Sequence, residues 1–100
     1  GLPCDRFSFE GFLPVKKGRT KRLKELSTET KTMIFYESPH RILKTLNDLS
    51  NYFDVESKIS ISRELTKLYE ETFRGTIKES VEHFEKNKTK GEFVIVLSPK

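Results

Sequence analysis

The sequence predicts an α/β domain built around one sheet, and three observations carry that prediction. "TMIFYE" (32–37) and "EFVIVL" (92–97) are nearly continuous apolar runs of strand length, as expected of interior strands. Between them, Ile42, Leu43, Leu46, Leu49 and Phe53 recur at helical spacing and form one apolar stripe. Thr76 and Glu79 make a T-x-x-E capping box, and Ile77, Val81 and Phe84 follow on one helical face.

The remaining elements follow in chain order. "FSFEGFLP" alternates Phe7 and Phe9 with Ser8 and Glu10, a half-buried strand that stops at Pro14. "GRTKRLKELS" reads as a short helix whose apolar face is only Leu23 and Leu26. After the strand at 32–37, Ser38 is suited to cap a helix and Pro39 to its first position. "SKISISRE" is a further strand, with Ile59 and Ile61 facing the core between serines, and "EETFRGT" is a weaker one. The order is β-α-β-α-β-β-α-β, without repeats or low-complexity segments.

Strand-helix-strand units put their strands parallel when both stay in one sheet. The first three strands should therefore point one way, the fourth should run back after the short "LTKLY" connection, and the fifth should run parallel to the fourth. This brings three distant polar clusters to one sheet edge: "YESPHR" (36–41), "RELTK" (63–67) and "KGE" (90–92). Strands lie about 5 Å apart, so the clusters should fall within roughly 10–15 Å of each other. Ligands of open α/β sheets gather at such an edge.

Composition bounds the function. The chain has 100 residues, enough for a single modest core. No apolar run approaches the roughly 18 residues of a membrane span, and "GLPCDRFSF" lacks the basic-then-apolar pattern of a signal peptide. Cys4 is the only cysteine, which excludes an internal disulfide and makes the cytoplasm the expected compartment. The net charge of +4 is mild, but cations crowd into "KKGRTKRLK" (16–24) and recur in "KNKTK" (86–90). Such patches suit a phosphate backbone or simply a solvated helix face and loop, and composition alone leaves both open.

The five glycines fit neither a dinucleotide-binding fingerprint nor a P-loop. One cysteine with His40 and His83 far apart gives no metal spacing. Ser38 beside His40 is better explained as a cap than as a nucleophile. His40 and Arg41 occupy a helix first turn where acids are preferred. Either both point into water, or one meets an anion or partner with Glu37 as counter-charge. Glu37 and Glu64 end apolar strands, placed to act as bases or acceptors or to pair with Arg41, Arg63 or Lys67. Tyr36 could stack on a base or lie half in the core.

"GLPCDRFSFEGFLPVK", "IFYESPHRILKTLNDL", "SRELTKLYEETFRGT" and "KGEFVIVL" together resemble the C-terminal half of bacterial 16S rRNA 2'-O-ribose cytidine methyltransferases, of the tetrapyrrole methylase superfamily. The resemblance covers essentially the whole chain. It implies that residues 1–100 are one domain, the second of two, cut near the interdomain linker, with the N-terminal cofactor-binding domain missing. It also implies a mixed five-stranded sheet in order 1-2-5-3-4, strands four and five antiparallel to the rest, with three helices.

The implied reaction is methyl transfer from S-adenosylmethionine to a ribose 2'-hydroxyl of 16S rRNA, by a full-length protein that is usually a homodimer; the fragment alone should be inactive. The implied cofactor cleft would be lined by Phe9, Gly11, Phe12, Leu13, Tyr36, Glu37 and Gly91. RNA would meet His40, Arg41, Arg63, Glu64, Thr66 and Lys67, and its phosphates the run Lys16, Lys17, Arg19, Lys21 and Arg22. No metal is expected, and no residue is assigned as the general base. Charge reversal at Glu37 is expected to cut methylation without unfolding the protein. The alternatives are a methylase for a tetrapyrrole or other small molecule, and a stand-alone RNA-binding module.

Overall fold

The structure is a computed structural model that describes residues 6–65, 68–87 and 90–100, with backbone alone for residues 64–65 and 68–70. Its elements are β1 (Phe7–Phe12), α1 (Arg19–Leu26), β2 (Thr32–Glu37), α2 (Ile42–Tyr52), β3 (Lys58–Leu65), β4 (Leu68–Thr76), α3 (Ile77–Lys86) and β5 (Glu92–Ser98). They form one sheet in the order β1-β2-β5-β3-β4. β1 and β2 are parallel, and β5 runs antiparallel to both β2 and β3. β4 folds back antiparallel on β3, so the expected order and all five directions are those observed.

The handedness of the connections explains why the sheet is covered on one face only. β1-α1-β2 and β2-α2-β3 move across the sheet in one sense, so right-handed crossovers put α1 and α2 on the same face. β4-α3-β5 moves back, but its strands also point the other way. A half-turn about the sheet normal relates the two cases and leaves the face unchanged, so α3 joins α1 and α2.

Burial follows this geometry. Met33, Phe35, Ile59, Ile61, Phe93, Ile95 and Leu97 point from the strands into one core with Leu23, Leu26, Ile42, Leu46, Leu49, Ile77 and Phe84 from the helices. Their alternates Ile34, Tyr36, Val94 and Val96 are only half-buried. Truncating a fully buried stripe residue such as Leu46 to alanine should cost about 2–5 kcal/mol.

Helix starts follow local chemistry. Gly18 precedes α1 at φ +82°, a left-handed conformation that glycine adopts without a Cβ penalty. At α3 both halves of the capping box form: Glu79 N–H donates to Thr76 Oγ1 at 3.2 Å, and Thr76 N–H donates to Glu79 Oε1 at 2.9 Å. The start of α2 differs from expectation. Ser38 does not cap it; the helix begins at Ile42 after Arg41, without a side-chain cap. The Ser38 N–H donates instead to Glu37 Oε1, and the chain closes a tight turn by a bond from Arg41 N–H to the Ser38 carbonyl. β3 and β4 also extend past their expected ends into the "LTKLY" segment, β3 running to Leu65 and β4 starting at Leu68.

Candidate functional site

The sheet register assembles the expected edge. Glu37 of β2 pairs with Phe93 of β5, and Phe93 pairs with Arg63 of β3. With neighbouring strands about 4.8 Å apart, the backbones of Glu37 and Arg63 lie roughly 10 Å from each other. One residue further out, Glu64 stands opposite Glu92. Gly91 immediately precedes β5 at φ +92°, where any side chain would be strained.

Glu37 is buried, with 4 % of its surface exposed. One carboxylate oxygen accepts from the Ser38 N–H at 2.8 Å, and the other accepts from Thr45 Oγ1 at 2.5 Å. Arg41 Nε stands 3.9 Å from the first oxygen. Arg41 is thus drawn back toward Glu37, while His40 is exposed. Of the readings open for Glu37, the structural pairing with Arg41 is present, and the carboxylate also accepts from Ser38 and Thr45 of its own fold. Charge reversal here would place a cation among groups arranged to donate, so it would destabilise the fold, contrary to the expectation that the protein would stay folded.

Thr45 connects Glu37 to a second buried charge. Its hydroxyl accepts from Arg19 Nη2 at 2.9 Å while donating to Glu37. Arg19 also donates to Asp48 Oδ2 and to the Pro14 carbonyl, each at 2.9 Å. The basic run is therefore not uniform. Lys16, Lys17 and Lys21 are exposed, but Arg19 is 6 % exposed, its guanidinium held by the Pro14 carbonyl in the loop after β1 and by Thr45 and Asp48 of α2. Burial behind these partners corrects the expectation of Arg19 as part of an open phosphate-binding run. Arg22 is half exposed and pairs with Glu10 and Glu25, and the Glu10 hydrogen bond raises its pKa further above the ordinary arginine value. Sequence reasoning missed Thr45 and Asp48; the only signal was a threonine interrupting an apolar stripe and an aspartate three residues on.

On the open face, Tyr36 packs edge-on against Phe9 with ring centroids 5.3 Å apart, and against Phe12 at 5.5 Å. Both phenylalanines remain exposed, at 64 % and 61 %. A β-bulge at Gly11, φ +66°, lets Phe9 and Phe12 share this face despite their odd separation. Leu13, by contrast, is a core residue. Behind the edge, between the start of α2 and the end of α3, lies a shallow cleft lined by Pro39, His40, Leu43, Phe84, Lys90 and Gly91. Another concavity, lined by Lys58, Ser60, Arg74 and Val96, opens toward the opposite end of the strands, and among the described residues its lining takes in none from 36–41, 63–65 or 90–92. Thr66 and Lys67 lie outside the described residues, and Glu64 is described by backbone alone.

Among the described residues no group of three or more His, Cys, Asp or Glu gathers as metal ligands, and no helix is long and apolar enough to cross a membrane.

No protein-family model matches the chain. Curated relatives do. The chain is 46% identical over 100 residues to the ribosomal RNA small subunit methyltransferase I of Thermotoga maritima. It is 44% identical over 99 residues to the protein of that name from Synechocystis sp., and 45% identical over 103 to that from Haemophilus influenzae. Each match takes in 98–100% of this chain but only 36–45% of the relative, in its C-terminal part. The chain thus spans less than half the length of these relatives. Among solved structures, the methyltransferase CobJ superposes with a TM-score of 0.62 at 16% identity, over 93% of this chain and 41% of CobJ. That likeness shows the fold. The curated relatives carry more: over essentially its whole length this chain is similar to the C-terminal part of proteins named ribosomal RNA small subunit methyltransferase I.

Proposed function

We propose that the chain is the C-terminal domain, residues 1–100, of an S-adenosylmethionine-dependent methyltransferase acting on a ribose 2'-hydroxyl of 16S rRNA. The observation that carries this is the row Glu37–Phe93–Arg63. It gathers three separate motifs onto one sheet edge in a chain 46% identical to a named rRNA methyltransferase. The cytoplasm is the compartment of such a substrate. A cofactor-binding domain preceding this one would complete the site, and the fragment alone would be inactive. The full-length protein would act as a homodimer.

The residues present fit part of a cofactor site. Tyr36 offers an aromatic surface at the edge, and Gly91 lets a ligand approach the backbone where a side chain would intrude. S-adenosylmethionine, when bound, supplies a sulfonium methyl group. This chain's part is positioning. The Phe9–Leu13 segment and Tyr36 would form one wall of the cleft, and Glu37 would hold the Ser38–Arg41 turn in place from beneath it. His40, Arg41, Arg63, Glu64, Thr66 and Lys67 would face RNA, with Lys16, Lys17, Lys21 and Arg22 near its phosphates. Holding two reactants in line supplies much of the acceleration in such a displacement.

The test is methyl transfer from labelled S-adenosylmethionine to small ribosomal subunits by the full-length gene product. Subunits should come from cells lacking the gene. The wild-type protein should label the 16S rRNA on ribose, and Tyr36→Ala should reduce kcat/KM at least tenfold while the folded fraction is unchanged. Absence of transfer by the wild-type protein would remove the assignment, and an unaffected Tyr36→Ala would remove Tyr36 from the site.

A further inference from the structure

The lysine run "KNKTK" (86–90) has no role in the site proposed above, yet Lys90 borders the cleft behind the strand edge. Lys86 sits in the last turn of α3, where the helix dipole favours a cation, and that accounts for it structurally. Lys90 lies beyond the helix, exposed, at the mouth of the cleft between the start of α2 and the end of α3. The cleft measures about 530 Å³, inside the range of roughly 300–1,000 Å³ common for small-molecule sites.

Its floor is apolar and firmly backed. Pro39 and Leu43 are half-buried, and Phe84 is buried edge-on against Phe93 with ring centroids 5.5 Å apart. Phe93 is the middle residue of the row Glu37–Phe93–Arg63, so the floor and the strand edge belong to one packed unit. The rim is polar: His40, Glu85, Asn87 and Lys90 are all exposed. His40 stands in the Ser38–Arg41 turn, which the buried Glu37 carboxylate holds through the Ser38 N–H. Asn87 is steadied by donating Nδ2 to the His83 carbonyl at 2.8 Å, and its side-chain oxygen can accept.

An apolar floor, acceptors on the rim and a cation at the mouth match an unpaired nucleotide. The face of a base would lose its water over Pro39, Leu43 and Phe84. Glu85 and Asn87 would accept from amino groups on the base edge, and Lys90 would meet the phosphate. Unpaired RNA nucleotides are recognised in this manner, with the base turned out of its stack. The adenosine of S-adenosylmethionine offers a similar ring and ribose but no phosphate for Lys90.

We infer that the cleft between α2 and α3 binds an unpaired nucleotide of the RNA substrate, its base over Pro39, Leu43 and Phe84 and its phosphate at Lys90. The inference rests on the proposed rRNA substrate. It adds a pocket on the helix-covered side of the edge and assigns Glu85, Asn87 and Lys90 to it.

The experiment uses the full-length protein with small ribosomal subunits from cells lacking the gene. Lys90→Ala removes the cation, and Leu43→Phe narrows the cleft without changing charge. Each should raise KM for subunits about tenfold, the scale of one lost base contact, and leave KM for S-adenosylmethionine unchanged. A raised KM for the cofactor instead would give the cleft to the cofactor, and an effect of Lys90→Ala alone would reduce it to a charged patch; either overturns the inference. Because Leu43→Phe can strain the core, p-benzoylphenylalanine at exposed position 40 supplies an independent reading. After irradiation, reverse transcription should stop at one unpaired rRNA nucleotide, and the stop should fade in the Lys90→Ala protein. Scattered stops, or none, would overturn the inference. Methylation by the wild-type protein is scored separately. Methylation without the single stop would leave the activity standing and remove the nucleotide site. A single Lys90-dependent stop without methylation would do the reverse.

Discussion

Thr45 Oγ1 lies 2.5 Å from Glu37 Oε2 and accepts from Arg19 Nη2 at 2.9 Å, so one hydroxyl joins a buried carboxylate to a buried guanidinium. Neither charge could be enclosed at this depth without such partners. The relay ties the end of β2 to α2 and α1, and it sets the base from which the turn Ser38–Arg41 projects. Thr45→Val keeps the shape and deletes the hydroxyl, leaving a donor and an acceptor without that partner. It should lower stability by about 2 kcal/mol, read as a shift of the urea midpoint at unchanged m-value. A shift near zero would show that the three groups do not act as a unit.

The cations of 16–24 should separate into two classes. Arg19→Ala breaks a buried charge cluster and should cost about 3 kcal/mol. Lys17→Ala and Lys21→Ala, both at exposed positions, should change stability by no more than about 0.5 kcal/mol. If these lysines meet phosphates, each substitution should flatten the dependence of log K on log salt by about 0.7–0.9 in full-length protein binding rRNA. Unfolding curves and binding at three salt concentrations check both halves of the prediction.

Gly91→Ala places a Cβ on a backbone at φ +92°, which should destabilise by about 1–2 kcal/mol. If this backbone borders the cofactor, KM for S-adenosylmethionine should rise by more than the stability loss explains at a temperature where the variant stays folded. An unchanged KM would confine Gly91 to a structural turn.

The capping box supplies a control. Thr76 pairs with Lys58 at the far end of β3, remote from the Glu37–Arg63 edge. Thr76→Ala should cost about 1 kcal/mol through the exposed N-terminus of α3 and leave methylation kinetics unaltered. Altered kinetics would mean that α3 reaches the site.

Much of the fold was legible because its signals are local. Apolar runs marked β2 and β5, the 3.6-residue stripe marked α2, and Thr76 with Glu79 marked the first turn of α3. Strand directions then followed from connectivity, and the convergence of 36–41, 63–67 and 90–92 followed from the directions. What failed was decided by long-range packing. Ser38 has the chemistry of a cap, but Glu37, held from α2 by the Thr45 hydroxyl, accepts from the Ser38 N–H, and the turn closed by Arg41 N–H on the Ser38 carbonyl puts the helix start at Ile42. Arg19 looks like its neighbours in the basic run; only the approach of Asp48 and Thr45, from a helix more than twenty residues away, turns it inward.

The order of the strands in the sheet came from the family resemblance; by itself, the sequence determined which segments are strands and helices, the sense of the five strands, and the edge where three polar motifs meet. Those features depend on periodicity, on capping and on the handedness of short connections, all of which act between near neighbours in the chain. The tertiary structure alone decided which charges face water, how Glu37, Thr45 and Arg19 share their hydrogen bonds, and that Phe9, Phe12 and Tyr36 collect on an open face. Burial and hydrogen-bond partnership depend on which surfaces meet across the fold, and two arginines three residues apart can be assigned opposite environments by that meeting.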